Sequence, residues 1–196
     1  MPAERRPDLV GVVLAGGRSR RMGRDKAWVE VGGRPMLHVV AGVLAEVADR
    51  VMVAGREVAG FESVPDPVQG AGPLAGLVGV MRATRSAVLL VGVDQPWVRA
   101  ETLAGLAASG RDLPVVPVVE GVRQTTCAFY PREVAPAAAE ELDAGGSLQS
   151  LLDRVAFVPV LEETWRLWGE DGRSWFSVDR PEDLDRGLEL YGPPVN

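Results

Sequence analysis

The chain has one cysteine and one histidine among 196 residues. A lone cysteine, Cys127, excludes an internal disulfide and any cysteine-rich zinc site. It lies in "TTCAFY", which reads as a strand, where a thiol serves as a small buried apolar group. The lone histidine, His38, falls nearly opposite the apolar face of a helical pattern and reads as a solvated residue, not a catalytic base. No apolar run approaches the roughly 18 residues that span a membrane. The opening "MPAERRPDL" has no apolar core of a secretory signal, so a cytoplasmic chain without membrane contact is expected. An overall excess of positive charge is also missing. The net charge is −6, which argues against a general nucleic-acid binder, whose basic face would extend over the whole domain.

What is present is ordinary globular composition, 46% hydrophobic and 24% charged, at a length that suits a single domain over 1–196. "LVGVVLA", Leu9 to Ala15, is apolar without polar alternation, as in a strand buried on both faces of a parallel sheet. Similar strands are expected at Arg50–Ala54, Phe61–Val64, Ala87–Val93, Val115–Val119, Val122–Tyr130 and Ala156–Val160, with shorter ones at Ala27–Val31 and Trp175–Val178. Helices are expected from Pro35, with Met36, Val40, Val43, Leu44 and Val47 on the buried face, and over Leu74–Thr84, Glu101–Ser109, Val134–Asp143 and Ser147–Arg154. "DRPEDLDRGLEL" closes the pattern as a last helix. Strands and helices alternate throughout. The fold class is therefore α/β, with a mostly parallel central sheet flanked by helices.

The chemistry concentrates in "VVLAGGRSRRMGRDK", Val12 to Lys26. The apolar strand stops at Gly16-Gly17, and Arg18, Arg20, Arg21, Arg24 and Lys26 follow, against Asp25 alone. In an open parallel sheet, ligands bind beyond the carboxyl ends of the strands. Glycines there let backbone N–H groups approach an anion, and the basic side chains match phosphate oxygens. A charge run by itself reads as a solvated loop. Its place after a buried strand, with Lys26 closing it, favours a polyphosphate site. Neither the Walker pattern nor the dinucleotide fingerprint fits, since Gly23 precedes Arg24-Asp25 and no G-x-G-x-x-G occurs.

"LAGGRSRRMGRDK" resembles the signature of nucleotidyltransferases, and most nearly that of the molybdenum cofactor guanylyltransferases, LAGG-x-S-x-RMG-x-DK. "GRPMLHVVAGVL", "DPVQGAGPLAGL", "VDQPWV" and "VDRPEDL" extend the likeness over essentially the whole chain. The resemblance implies a Rossmann-like nucleotidyltransferase fold, its nucleotide-binding part over about 8–110 and its acceptor-binding part over about 111–190. It implies transfer of GMP from GTP to the phosphate of molybdopterin, with release of pyrophosphate and a requirement for Mg2+. Nucleotide contacts would come from Leu14, Ala15, Gly16, Gly17, Lys26, Asp66 and Asp94, and catalysis from Arg21, Lys26 and Asp94. GTP and molybdopterin are the expected partners, with room for transient contacts with other cofactor-biosynthesis proteins. A cytidylyl donor for the same acceptor, a sugar-phosphate nucleotidyltransferase and a nucleotide-binding module without turnover are the alternatives.

Individual positions carry two readings each. Asp94 ends a buried strand and needs a partner; Mg2+ is a natural one, and an arginine pair or a cap is the plainer one. Asp66 lies between prolines as a turn residue, whereas the resemblance makes it a nucleotide contact. Asp179 with Glu182 reads as a capping box; related nucleotidyltransferases place a second metal ligand on this segment. Trp165, Trp168 and Trp175 read as packing residues ahead of a pterin platform. Gly16 in "LAGG" would let the loop backbone approach a purine edge, which favours GTP over CTP.

Overall fold

The computed structural model describes residues 8–16 and 25–194. In chain order the elements are β1 (Leu9–Leu14), a 3-10 turn (Lys26–Trp28), β2 (Glu30–Val31), β3 (Arg34–Pro35), α1 (Met36–Val47), β4 (Arg50–Ala54) and β5 (Glu62–Val64). Then come α2 (Pro73–Thr84), β6 (Ala87–Gly92), α3 (Ala100–Ser109), β7 (Val115–Val119), β8 (Val122–Arg123) and β9 (Cys127–Tyr130). The chain ends with α4 (Ala135–Asp143), α5 (Leu148–Arg154), β10 (Val158–Val160), α6 (Glu162–Trp165) and α7 (Pro181–Tyr191).

The main sheet runs β10-β7-β9-β6-β1-β4-β5, with β8 added to β7. Its central pairs are parallel, and β9 alone among its long-path strands is reversed, antiparallel to both β6 and β7. Alternate residues of each central strand face opposite layers, the period-two rule of a strand. Leu9 and Val13 of β1, with Leu89 and Val91 of β6, pack on α1 and α3. Val10 and Val12, with Val88 and Leu90, pack on α2, α4 and α5. This double burial is why these strands carry no polar alternation. No helix among the described residues is long and apolar enough to cross a membrane.

Several expected elements take a different form. Residues 27–31 are not one strand. Asp25 accepts a hydrogen bond from the Ala27 N–H at 3.2 Å and winds Lys26–Trp28 into a 3-10 turn. Only Glu30–Val31 pairs as a strand, in a hairpin whose Gly32 and Gly33 both take positive φ. Pro35 precedes α1 instead of opening it. The strand expected over 122–130 splits, because the chain turns after β8, with Cys127 N–H bonded back to the Gln124 carbonyl. Strand β10 begins only at Val158.

Residues 175–178 form no strand. The preceding loop is wound around Glu170, whose buried carboxylate accepts from the N–H groups of Asp171, Gly172 and Ser174 and from the hydroxyls of Thr102 and Ser174. Five donors on one buried carboxylate offset its desolvation and leave the chain in a 3-10 turn over Arg173–Trp175. From there Val178 N–H reaches the Asp94 carbonyl at 2.8 Å, which brings the segment before α7 alongside the end of β6. Cys127 is fully buried, as expected of a small core residue. His38 is exposed and stands edge-on to Phe61 and tilted to Trp28.

Candidate active site

β1 and β6 end in register, Leu14 opposite Gly92, and Leu14 is also opposite Ala54 of β4. Hydrogen bonds continue past the strand ends, from Val93 N–H to the Leu14 carbonyl at 3.1 Å and from Ala15 N–H to that of Ala54 at 3.0 Å. A cleft of about 340 Å³ opens at this edge. Leu14, Ala15 and Gly16 form one wall, and Asp25 and Lys26 another. Asp94 enters from β6, Ser177 and Asp179 from the segment before α7, and Thr126 from the turn before β9.

Lys26 is the centre of the site. Its Nζ donates to Asp94 Oδ2 at 3.1 Å and to Asp179 Oδ1 at 2.6 Å. The lysine side chain is 13% exposed, against 27% for Asp94 and 50% for Asp179. Burial pulls its pKa down, but the hydrogen bond and charge of Asp179 and of Asp94 outweigh that, and the ammonium is held above its ordinary 10.5. Thus residues 68 and 153 positions from Lys26 in the chain converge on one cation.

Asp179 is available for this because it does not cap α7. The carboxylate that caps the helix belongs to Asp183, which accepts from the N–H groups of Asp179 at 2.9 Å and Arg180 at 2.8 Å. The D-x-x-E reading of Asp179 and Glu182 is therefore corrected: the cap is displaced by one residue, with Pro181 as the first helical residue, where its missing N–H costs nothing.

Asp66 stands next to Gly16. A Cβ built on Gly16 would lie 3.2 Å from Asp66 Oδ2 and 3.0 Å from Gly55 Cα. Burial raises the Asp66 pKa. The space at Gly16 is therefore filled first by the protein's own β4 turn, where Gly55 takes φ +98° and a Cβ would overlap the Gly16 backbone. This close approach locks the loop after β1 to the turn after β4. Gly17 and Arg21, like Arg18, Arg20 and Arg24, lie outside the described residues.

The three tryptophans stay out of the cleft wall. Trp165 and Trp175 are buried and pack edge-to-face, 6.0 Å between ring centroids, and Trp168 covers Gly105 of α3. One pair went unread in the sequence. Arg56, just past β4, donates from Nη1 to Asp25 Oδ2 at 2.5 Å. An arginine two residues after the strand is the only sequence trace of it.

Among the described residues no group of three or more His, Cys, Asp or Glu side chains gathers to hold a metal. The two carboxylates on Lys26 suit a different arrangement. Mg2+ takes one or two carboxylates and fills its remaining positions with substrate phosphate oxygens and water. Asp94 and Asp179, both partly exposed and already directed at one cation, fit that donor set.

Residues 11–159 match the model of the MobA-like NTP transferase domain. A probable molybdenum cofactor guanylyltransferase of Pelotomaculum thermopropionicum is 34% identical over 184 residues, covering 89% of each chain. The molybdenum cofactor guanylyltransferase of Cereibacter sphaeroides is 31% identical, covering 93% of this chain and 96% of that one. Among solved structures, molybdopterin-guanine dinucleotide biosynthesis protein A of Archaeoglobus fulgidus superposes with a TM-score of 0.80 at 22% identity, over 92% of this chain and 97% of that one.

Proposed function

We propose that this chain, which belongs to the MobA-like NTP transferase family, is a nucleotidyltransferase that moves GMP from GTP to the phosphate of molybdopterin and releases pyrophosphate. The observation that carries this reading is the cleft at the carboxyl edge of the sheet, where Lys26 lies between Asp94 and Asp179 beside Leu14, Ala15 and Gly16.

The reaction needs a phosphate oxygen of the acceptor to attack the α-phosphorus of the nucleotide in line, with pyrophosphate leaving on the opposite side. Both partners are anionic, so the site must offset their repulsion and hold them in line. Lys26 supplies a buried positive charge at the cleft wall. Arg21 belongs to the same signature loop and would add a second. The backbone after β1 would face the triphosphate, since Ala15 and Gly16 line the cleft. Asp94 and Asp179 would hold Mg2+, which supplies neutralisation of charge on the transferring phosphoryl group. Bringing both carboxylates to a metal requires Lys26 to turn away from them, and a triphosphate gives its ammonium a new partner. Neither a covalent intermediate nor a side-chain nucleophile is required. Trp165 and Trp175 serve core packing and Trp168 covers α3. We place GTP and molybdopterin as substrates, Mg2+ as the metal, and the cytoplasm as the site of action.

A panel of GTP, CTP, ATP and UTP, each with molybdopterin and Mg2+ and read by pyrophosphate release, tests the reading. Release with GTP well above the rest is expected. Preferential use of CTP would move the chain to the cytidylyl donor, and no release with any nucleotide would leave a binding module.

A further inference from the structure

We propose that Arg56 is a positioning residue for Lys26, acting through Asp25; this rests on the nucleotidyl-transfer reading above. Asp25 divides its carboxylate between two donors. Oδ1 accepts from the Ala27 N–H at 3.2 Å and Oδ2 from Arg56 Nη1 at 2.5 Å. The Asp25 carbonyl accepts from Trp28 N–H at 3.1 Å, and that of Lys26 from Val29 N–H at 3.1 Å. These bonds make the single 3-10 turn that aims the Lys26 side chain across the cleft at Asp94 and Asp179. Ala27 anchors the inner side of this turn in the core, and the bond from Arg56 to Asp25 fixes its first residue on the cleft side.

Arg56 is well fixed for that task. The backbone at Gly55 is bonded on one side to the Val64 carbonyl at 3.0 Å and lies against Gly16 on the other. Arg56 therefore ties the Lys26 turn to the same strand ends that shape the nucleotide wall. Nε and Nη2 are shielded from solvent and have no hydrogen-bond partner among the described residues, so the Asp25 carboxylate is the polar partner of this guanidinium there. The bond to Asp25 is what this placement gains.

A double-mutant cycle on the full-length chain tests this, using Arg56→Gln, Lys26→Ala and their combination with GTP, molybdopterin and Mg2+. Arg56→Gln should lower kcat about tenfold, a size common for residues coupled within one network. The nucleotide KM should change little. In the Lys26→Ala background the same substitution should cost less than about twofold, because the group it positions is gone. Arg56→Lys should recover part of the loss. Equal losses in both backgrounds, or a loss confined to KM, would overturn the proposal in favour of a direct nucleotide contact. Amide hydrogen exchange of the ligand-free protein gives a readout that does not depend on turnover. The Ala27 N–H should exchange faster in Arg56→Gln while the Gly92 N–H, bonded to the Thr126 carbonyl at 2.8 Å, is unchanged. Unchanged exchange at Ala27 would overturn the tether even if the chain proved inactive, and that inactivity alone would count against the reading of function.

Discussion

Single residues decide whether the cleft can do chemistry. Asp94→Asn keeps the size of the side chain and removes a charge that faces both Lys26 and the expected metal. Loss of one such electrostatic group costs on the order of 10²–10³ in kcat. Turnover at saturating Mg2+ should fall by that order with circular dichroism unchanged; near-normal turnover would remove Asp94 from the chemistry. Lys26 makes a prediction in pH. Its pKa is raised in the fold above 10.5, so the folded chain holds that proton more tightly than the unfolded one. The resulting stability is fully present below the unfolded value and is lost as pH rises through the folded value. Urea melts of the wild type and Lys26→Met should differ by a constant amount from neutrality up to that unfolded value, then converge at higher pH. A gap that already narrows between neutral pH and mildly alkaline pH would contradict the ion pair. Asp94 was legible because a lone acid ends an otherwise apolar strand. Asp179 entered through the resemblance alone, since 85 residues separate the two in the chain; in the fold the Val178 to Asp94 backbone bond and the shared Lys26 ammonium bring them together.

At the scale of elements, buried strands and long helices were readable because their hydrophobic period is strong. The errors fall where one polar contact outweighs local preference: Asp25 on the Ala27 N–H, Glu170 on its loop, and Asp183 at the start of α7. Such side-chain to backbone bonds compete with extended structure and leave no periodic trace. The last helix offers a test of what docks it. Gly187 of α7 lies on the Trp97 indole, and a Cβ there would fall inside the ring's contact distance. In solvent, alanine would favour the helix by about 1 kcal/mol over glycine. Against Trp97 it should instead destabilise by about 1–3 kcal/mol, the usual cost of overpacking. Chemical denaturation of Gly187→Ala decides the sign. A stabilised variant would mean that α7 can shift on Trp97 without loss. Since Asp179 lies two residues before this helix, the same variant should also raise the Mg2+ concentration needed for half-maximal turnover.

For the whole molecule, the two packed layers meet on the central strands, and Cys127 sits within them on the reversed strand β9, between β6 and β7. Burial, and to a lesser degree the charge of Glu170, holds its thiol far above the usual range. Only a thiolate reacts readily with a disulfide or maleimide reagent, and this one is both protonated and sealed. The single sulfhydryl therefore works as a clock on the opening of the molecule. In native buffer a maleimide should modify it no faster than the protein opens, and the rate should stop rising with reagent concentration once every opening is captured. Addition of GTP and Mg2+ should slow that limiting rate, since a ligand that binds only the closed form stabilises it. Absorbance traces over a range of GTP concentrations on an unmodified sample would then report nucleotide affinity, with no acceptor, no turnover and no engineered label.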